Sequence, residues 1–254
     1  MYNRIVIIGD SFTFGHGCDD KNYYWDPKTR KFVGEIDTTF DNEPSKDCWA
    51  SLLQQSLSNI TVHNLARPGQ SIMGMFRDLA IFNHENRLNS QDIVICGGTF
   101  PDRIEVAHHT NNLHPSSWCI GTHSYDKPSV EPKEYHDIKT NYIKYLYNSS
   151  IGINQYVAGL LGIYAVAQTA GADFYWSRPP KLEESPYEEV IESLLQNISD
   201  RFIPHVYRYD FSGVADYHFN LNCYQPDQHV NSKGHKLYYE KAIAPLMRKL
   251  GVLQ

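Results

Sequence analysis

The sequence predicts an α/β fold carried by a parallel sheet, and three observations predict it. Ile5 to Ile8 is an unbroken β-branched run that stops at Gly9. Asp92 to Cys96 repeats that pattern near the middle of the chain. Segments with helical spacing lie between such runs, the longest from Ile153 to Ala170. Apolar runs without alternation mark strands buried on both faces, as parallel strands covered by helices are.

The elements follow in order. Ile5–Ile8 is the first strand. Residues 19–45 are polar and without period, and read as a long loop insertion. Cys48 to Leu57 carries Trp49, Leu52, Leu53 and Leu57 at helical spacing, with Ser45 as a candidate cap. Thr61 to Leu65 is the second strand and Ser71 to Phe82 a helix. Asp92 to Gly97 is the third strand. Residues 106–150, rich in His, Tyr, Pro, Ser and Asn, read as a second loop insertion, and loops this long inside a domain usually serve function. Ile153 to Ala170 is a helix stopped by Gly171. Ala172 to Trp176 is the fourth strand, Tyr187 to Ile198 a helix, and His205 to Tyr209 a weaker fifth strand. Ser232 to Leu250 closes the chain as a helix. Five parallel strands with helices on both faces make a three-layer, flavodoxin-like domain, with residues 1–254 as one unit.

Composition excludes several function classes. Of 254 residues, 41% are hydrophobic and 20% charged, so a chain of this length is expected to bury its own core. The net charge of −6 argues against a nucleic-acid partner, which calls for a basic surface. Five scattered cysteines without a CxxC pair indicate a reducing compartment and no zinc ribbon. No signal-peptide pattern and no run of about 18 apolar residues is read, so a cytoplasmic placement without membrane association is expected. No cofactor motif is found: there is no Walker A sequence and no GxGxxG after the first strand. His108, His109, His114 and His123 lack tight ligand spacing, and no metal is expected. Many of the 18 Tyr and 12 His fall in polar stretches, which fits either a polar ligand surface or an idiosyncratic composition.

Ligands of a parallel sheet bind beyond the carboxyl ends of its strands. Gly9-Asp10-Ser11 follows the first strand, with Phe12, Thr13 and Gly15 after it. Asn64 to Ser71, including Gly69, follows the second. Gly97-Gly98-Thr99 and Arg103 follow the third. Asp227, His229, Asn231, Gly234 and His235 stand at the start of the last helix. A serine nucleophile needs a base, a carboxylate to orient that base, and amide donors for the oxyanion. Ser11, His229, Asp227 and the amides of Ser11 and Gly69 are that set. His235, inside the last helix, is the weaker choice of base and reads as a packing or capping residue. Arg103 and Glu105 read as substrate contacts or an ion pair, with the ion pair preferred.

At these residues the chain resembles the GDSL/SGNH hydrolases, in order and over nearly its full length. The resemblance implies that Ser11 is the nucleophile, with His229 as base and Asp227 as orienting carboxylate. It implies an oxyanion hole from the amides of Ser11 and Gly69. Two departures stand out. The third block of the family supplies an asparagine, where this chain has Thr99, whose hydroxyl is the candidate donor. Only Gln228 separates Asp227 from His229, one residue fewer than is usual. The implied activity is carboxylic-ester hydrolysis of a small-molecule or carbohydrate ester, for example an O-acetylated sugar. A non-catalytic binding or assembly protein and an acyltransferase are the alternatives on the same scaffold. The loop composition resembles divergent members from phages and marine bacteria, which allows a virion-associated placement.

Overall fold

A computed structural model describes residues 2–21, 23–26, 31–34, 43–101, 103–107, 117–120, 133–146, 148–177, 193–203 and 229–254. Its centre is a parallel sheet of four strands: β1 (Arg4–Ile8), β4 (Thr61–Asn64), β5 (Asp92–Cys96) and β8 (Asp173–Trp176), in the order β4-β1-β5-β8. Five strands were expected from the sequence. Among the described residues a fifth is reduced to one parallel bridge, Phe202 beside Trp176, and the expected strand His205–Tyr209 lies outside them.

Successive residues of each strand feed opposite cores, as a period of two requires. Val6, Ile8, Val94, Cys96, Phe174 and Trp176 face one side, against α3 (Ile72–Asn86) and α5 (Ser149–Thr169). Ile5, Ile7, Ile93, Ile95 and Tyr175 face the other, against α2 (Trp49–Gln55) and the C-terminal helix. That helix is α6 (Ser232–Tyr238), a wider turn Tyr239–Ile243, and α7 (Ala244–Lys249). The layers thus run helix, sheet, helix. Buried on both faces, each central strand is wholly apolar past its first residue, which is why the runs were unbroken in sequence.

Caps set the helix starts. Ser71 accepts from the Gly74 amide, Asn148 from Ser150, and Asn231 from Gly234. Ser45 does not cap α2. Cys48 holds that position without a side-chain capping bond, while Ser45 Oγ accepts from the Asp47 amide.

Three expectations change. The first segment expected as a loop contains an antiparallel hairpin, β2 (Tyr23–Asp26) with β3 (Lys31–Gly34), and the second begins inside another, β6 (Ile104–Ala107) with β7 (Ser117–Ile120). They are four-residue strands, too short for a period to show, although Tyr23, Tyr24 and Trp25 are strong strand formers. The second segment also holds a helix, α4 (Lys133–Asn141). Half of the helix expected over Tyr187–Ile198 lies outside the described residues, and Gln196–Arg201 forms a 3₁₀ helix. Finally, α5 is long and apolar enough, by length and composition alone, to cross a membrane, although no such run was read from the sequence. In this fold Ile153, Tyr156, Val157, Leu160, Ile163 and Ala167 bury its face in the core.

The strand order has one further consequence. The chain leaves β1 toward one edge of the sheet and leaves β5 toward the other. The gap between β1 and β5 is therefore the switch point at which ligands of open α/β sheets bind.

Candidate active site

Ser11 stands at that gap. Beyond Ile8 the chain passes Gly9 and turns at Asp10 into the four-residue helix α1 (Ser11–Phe14). Asp10 Oδ1 caps it by accepting the Phe12 amide at 3.0 Å. Gly15 ends it in the left-handed region at φ 84°. Thr13 is wedged under the turn. A Cβ on Gly9 would stand 2.2 Å from Thr13 Oγ1, and one on Gly97 would stand 2.0 Å from it. Glycine at the ends of β1 and β5 therefore lets the Ser11 turn settle onto the sheet edge.

His229 reaches Ser11 from the other end of the chain. Val230 is buried in the core beside α2, and Asn231 caps α6, so the chain that follows His229 is held on its C-terminal side. The Asp19 amide donates to Ser232 Oγ at 2.9 Å and ties this turn to the segment after α1. The imidazole lies between Phe12 and His16, with ring centroids 5.4 Å and 4.7 Å away. Its Nε2 is 3.0 Å from Ser11 Oγ. To take the serine proton, Nε2 must hold the lone pair and Nδ1 the hydrogen. Asp227, the residue expected to fix that tautomer, lies outside the described residues.

The remaining expected site residues sort clearly. Ser11 opens α1, so its N–H falls outside the intrahelical ladder. Gly69 sits in the β4–α3 loop at φ 77°, and that loop is pinned to the Ser11 turn by the Arg67 amide on the Gly9 carbonyl at 3.1 Å. Thr99 is fully buried. Its hydroxyl donates to the Gln70 carbonyl at 2.7 Å and accepts from Arg103 Nη1 at 3.0 Å. The one proton of that hydroxyl thus has an acceptor in the protein, competing with any oxyanion. His235 is fully buried, and its Nδ1 accepts the Trp49 amide at 3.3 Å, which places it as a cap for α2.

The sequence expects an ion pair for Arg103, beside Glu105, whose side chain lies outside the described residues. Arg103 pairs with Asp10, with Nη1 2.6 Å from Oδ2 across 93 residues of chain. Burial pushes the Asp10 carboxyl above its ordinary pKa, and the Arg103 guanidinium is the strongest influence pulling it back down. Sequence reasoning missed this pair, and also His16 and Gly17 beside His229. A cation four residues past Thr99 was the available signal for Arg103, but nothing in the sequence named its partner. The four histidines weighed as metal ligands lie outside the described residues. Among those described, no cluster of three His, Cys, Asp or Glu side chains is placed to hold a metal.

No family model matches this sequence. No curated protein matches it either. Solved structures do match. One is the psychrotrophic esterase EstA from a Pseudoalteromonas species, at TM-score 0.52 and 14% identity, covering 98% of each chain. Another is a member of the lipolytic G-D-S-L family from Veillonella parvula, at TM-score 0.50 and 14% identity, covering 96% of this chain and 98% of that one. A third is TesA, at TM-score 0.54 and 14% identity, covering 98% and 99%. At this identity the likeness is one of fold, over essentially the whole length of each chain.

Proposed function

We infer that this chain, which has the fold of the GDSL/SGNH lipolytic esterases, is itself a serine esterase acting on carboxylic esters. The observation that carries the reading is the 3.0 Å contact between His229 Nε2 and Ser11 Oγ, made across 218 residues at the sheet's switch point. In this reading Ser11 Oγ attacks the acyl carbonyl while His229 takes its proton. The carbonyl oxygen becomes an oxyanion facing the amides of Ser11 and Gly69. His229 then returns the proton to the leaving alcohol. Water, deprotonated by the same imidazole, releases the acid and frees Ser11. Asp227 orients the imidazole through Nδ1. The Tyr- and His-rich polar segments support a polar substrate, an O-acetylated carbohydrate in preference to a long-chain lipid.

The test is hydrolysis of a short-chain aryl ester by the wild type and by Ser11→Ala. The reading requires turnover by the first and its loss in the second. Equal rates sink it. One observation favours a second reading, a binding protein on a hydrolase scaffold: the Thr99 hydroxyl, at the position of the family's third oxyanion donor, is engaged with Gln70. A wild-type protein whose Ser11 stays unlabelled by a fluorophosphonate probe would establish that reading instead.

A further inference from the structure

We propose that Arg103 is a positioning residue for the oxyanion side of this site, tying together the three loops that form it. The inference rests on the esterase reading above. Arg103 Nη1 touches two acceptors. One is Asp10 Oδ2 at 2.6 Å, on the residue that caps the Ser11 helix. The other is Thr99 Oγ1 at 3.0 Å, on the loop after β5. Thr99 extends the link by donating to the carbonyl of Gln70 at 2.7 Å, and Gln70 directly follows Gly69. One guanidinium nitrogen thus connects the turn that presents the Ser11 amide to the turn that presents the Gly69 amide. The loop after the third strand of the sequence serves as the brace between them.

The surroundings suit a fixed brace. Asp10 and Thr99 are fully buried, and Gln70 nearly so. The guanidinium stacks over Phe100, 4.8 Å from its ring centroid, and Phe100 lies beside Phe12, 6.2 Å between centroids. Phe12 in turn packs on His229. A planar cation held by a carboxylate, a hydroxyl and an aromatic face has little rotational freedom left. Where the family pattern has an asparagine side chain, this chain has a threonine whose hydroxyl is occupied. The amides of Ser11 and Gly69 must then stabilise the oxyanion without that donor, and their mutual placement matters more. Donor placement within a few tenths of an ångström governs such stabilisation.

A brace of this kind affects the transition state more than ground-state binding, so its loss falls on kcat. Arg103→Met is expected to lower kcat on a short-chain aryl ester about 100-fold with KM changed less than about threefold, the size of one impaired oxyanion donor. Arg103→Lys, which keeps the charge, should recover about tenfold of that loss. Thr99→Val removes the other link without removing a charge, and serves if Arg103→Met does not fold. It should lower kcat about tenfold, and adding Arg103→Lys to it should lower kcat by much less than Arg103→Lys does alone, because both act through one chain of bonds. An Arg103→Met or Thr99→Val protein that folds with wild-type kcat overturns the proposal, as does a loss confined to KM. Additive effects of Thr99→Val and Arg103→Lys overturn it too. Fluorophosphonate labelling separates the two levels. A wild type that never labels removes the esterase reading and this proposal with it. A wild type that labels, with Thr99→Val labelling equally fast, removes this proposal alone.

Discussion

Gly17 lies directly against His229. A Cβ built on Gly17 would stand 2.7 Å from both His229 Cβ and the Val230 carbonyl oxygen. Gly17 does not have a positive φ, so closeness of approach is what requires glycine there. Gly17→Ala must move the His229 turn by a good fraction of an ångström. The contact at stake is the 3.0 Å approach of Nε2 to Ser11 Oγ. Misplacement of about 1 Å costs up to about 100-fold in rate. Gly17→Ala is therefore expected to lose between about 10-fold and 100-fold in kcat on an aryl ester while its circular dichroism stays native. Wild-type kcat in that variant would show that the turn yields without disturbing the imidazole.

Arg4 and Asp92 clamp the opposite end of the sheet, where β1 and β5 begin. Arg4 Nε donates to Asp92 Oδ1 at 3.0 Å and Nη2 to Oδ2 at 2.5 Å, and the guanidinium also reaches the carbonyls of Asn86 and Arg87 at 3.2 Å. The Asp92 side chain is 1% exposed. Arg4→Met leaves that carboxylate buried without its cation, a change that costs about 3–5 kcal/mol in buried pairs. Arg4 is partly open to water, which puts the expected loss near the lower figure. Urea unfolding measures it. A loss below about 1 kcal/mol would mean that water reaches Asp92 once Arg4 is gone.

The sheet and the Ser11 turn at its edge were legible in the sequence because both depend on local pattern. Ile5–Ile8 and Asp92–Cys96 declare burial on two faces by lacking alternation, and Ser11 follows the first of them after a turn that only a few residue types fill. The pairing of Ser11 with His229 was legible because both ends of the chain point to one sheet edge. The Arg103–Asp10 pair was not, since the acidic residue near Arg103 in sequence is Glu105, two positions away, and Asp10 lies 93 residues back. The glycines were legible as turns but not as packing partners: Gly9 and Gly97 both make room for Thr13, a three-body relation that no linear pattern carries. The short hairpins escaped for a different reason. Their strands are four residues long, and a period of two needs more length to separate from chance.

His235 gives the fold a pH dependence whose sign follows from its surroundings. It is fully buried, with His229 nearby, and burial is the main cause that holds its pKa at about 3, against 6.5 ordinarily. Its Nδ1 is also occupied as acceptor of the Trp49 amide at 3.3 Å, so protonation would break the α2 cap. The unfolded chain takes up a proton here as pH falls through 6.5, and the folded chain does not until about 3. Between those values the unfolded state binds more protons, so stability is full above 6.5 and declines as pH falls. From pH 7 to pH 5 this one group removes about 2 kcal/mol. His235→Gln lacks the titrating ring. Whatever its stability at pH 7, its unfolding free energy should fall by about 2 kcal/mol less than that of the wild type over the same interval. Urea unfolding at the two pH values decides it. Equal falls in the two proteins would mean that His235 is protonated in the native state as readily as in the unfolded one.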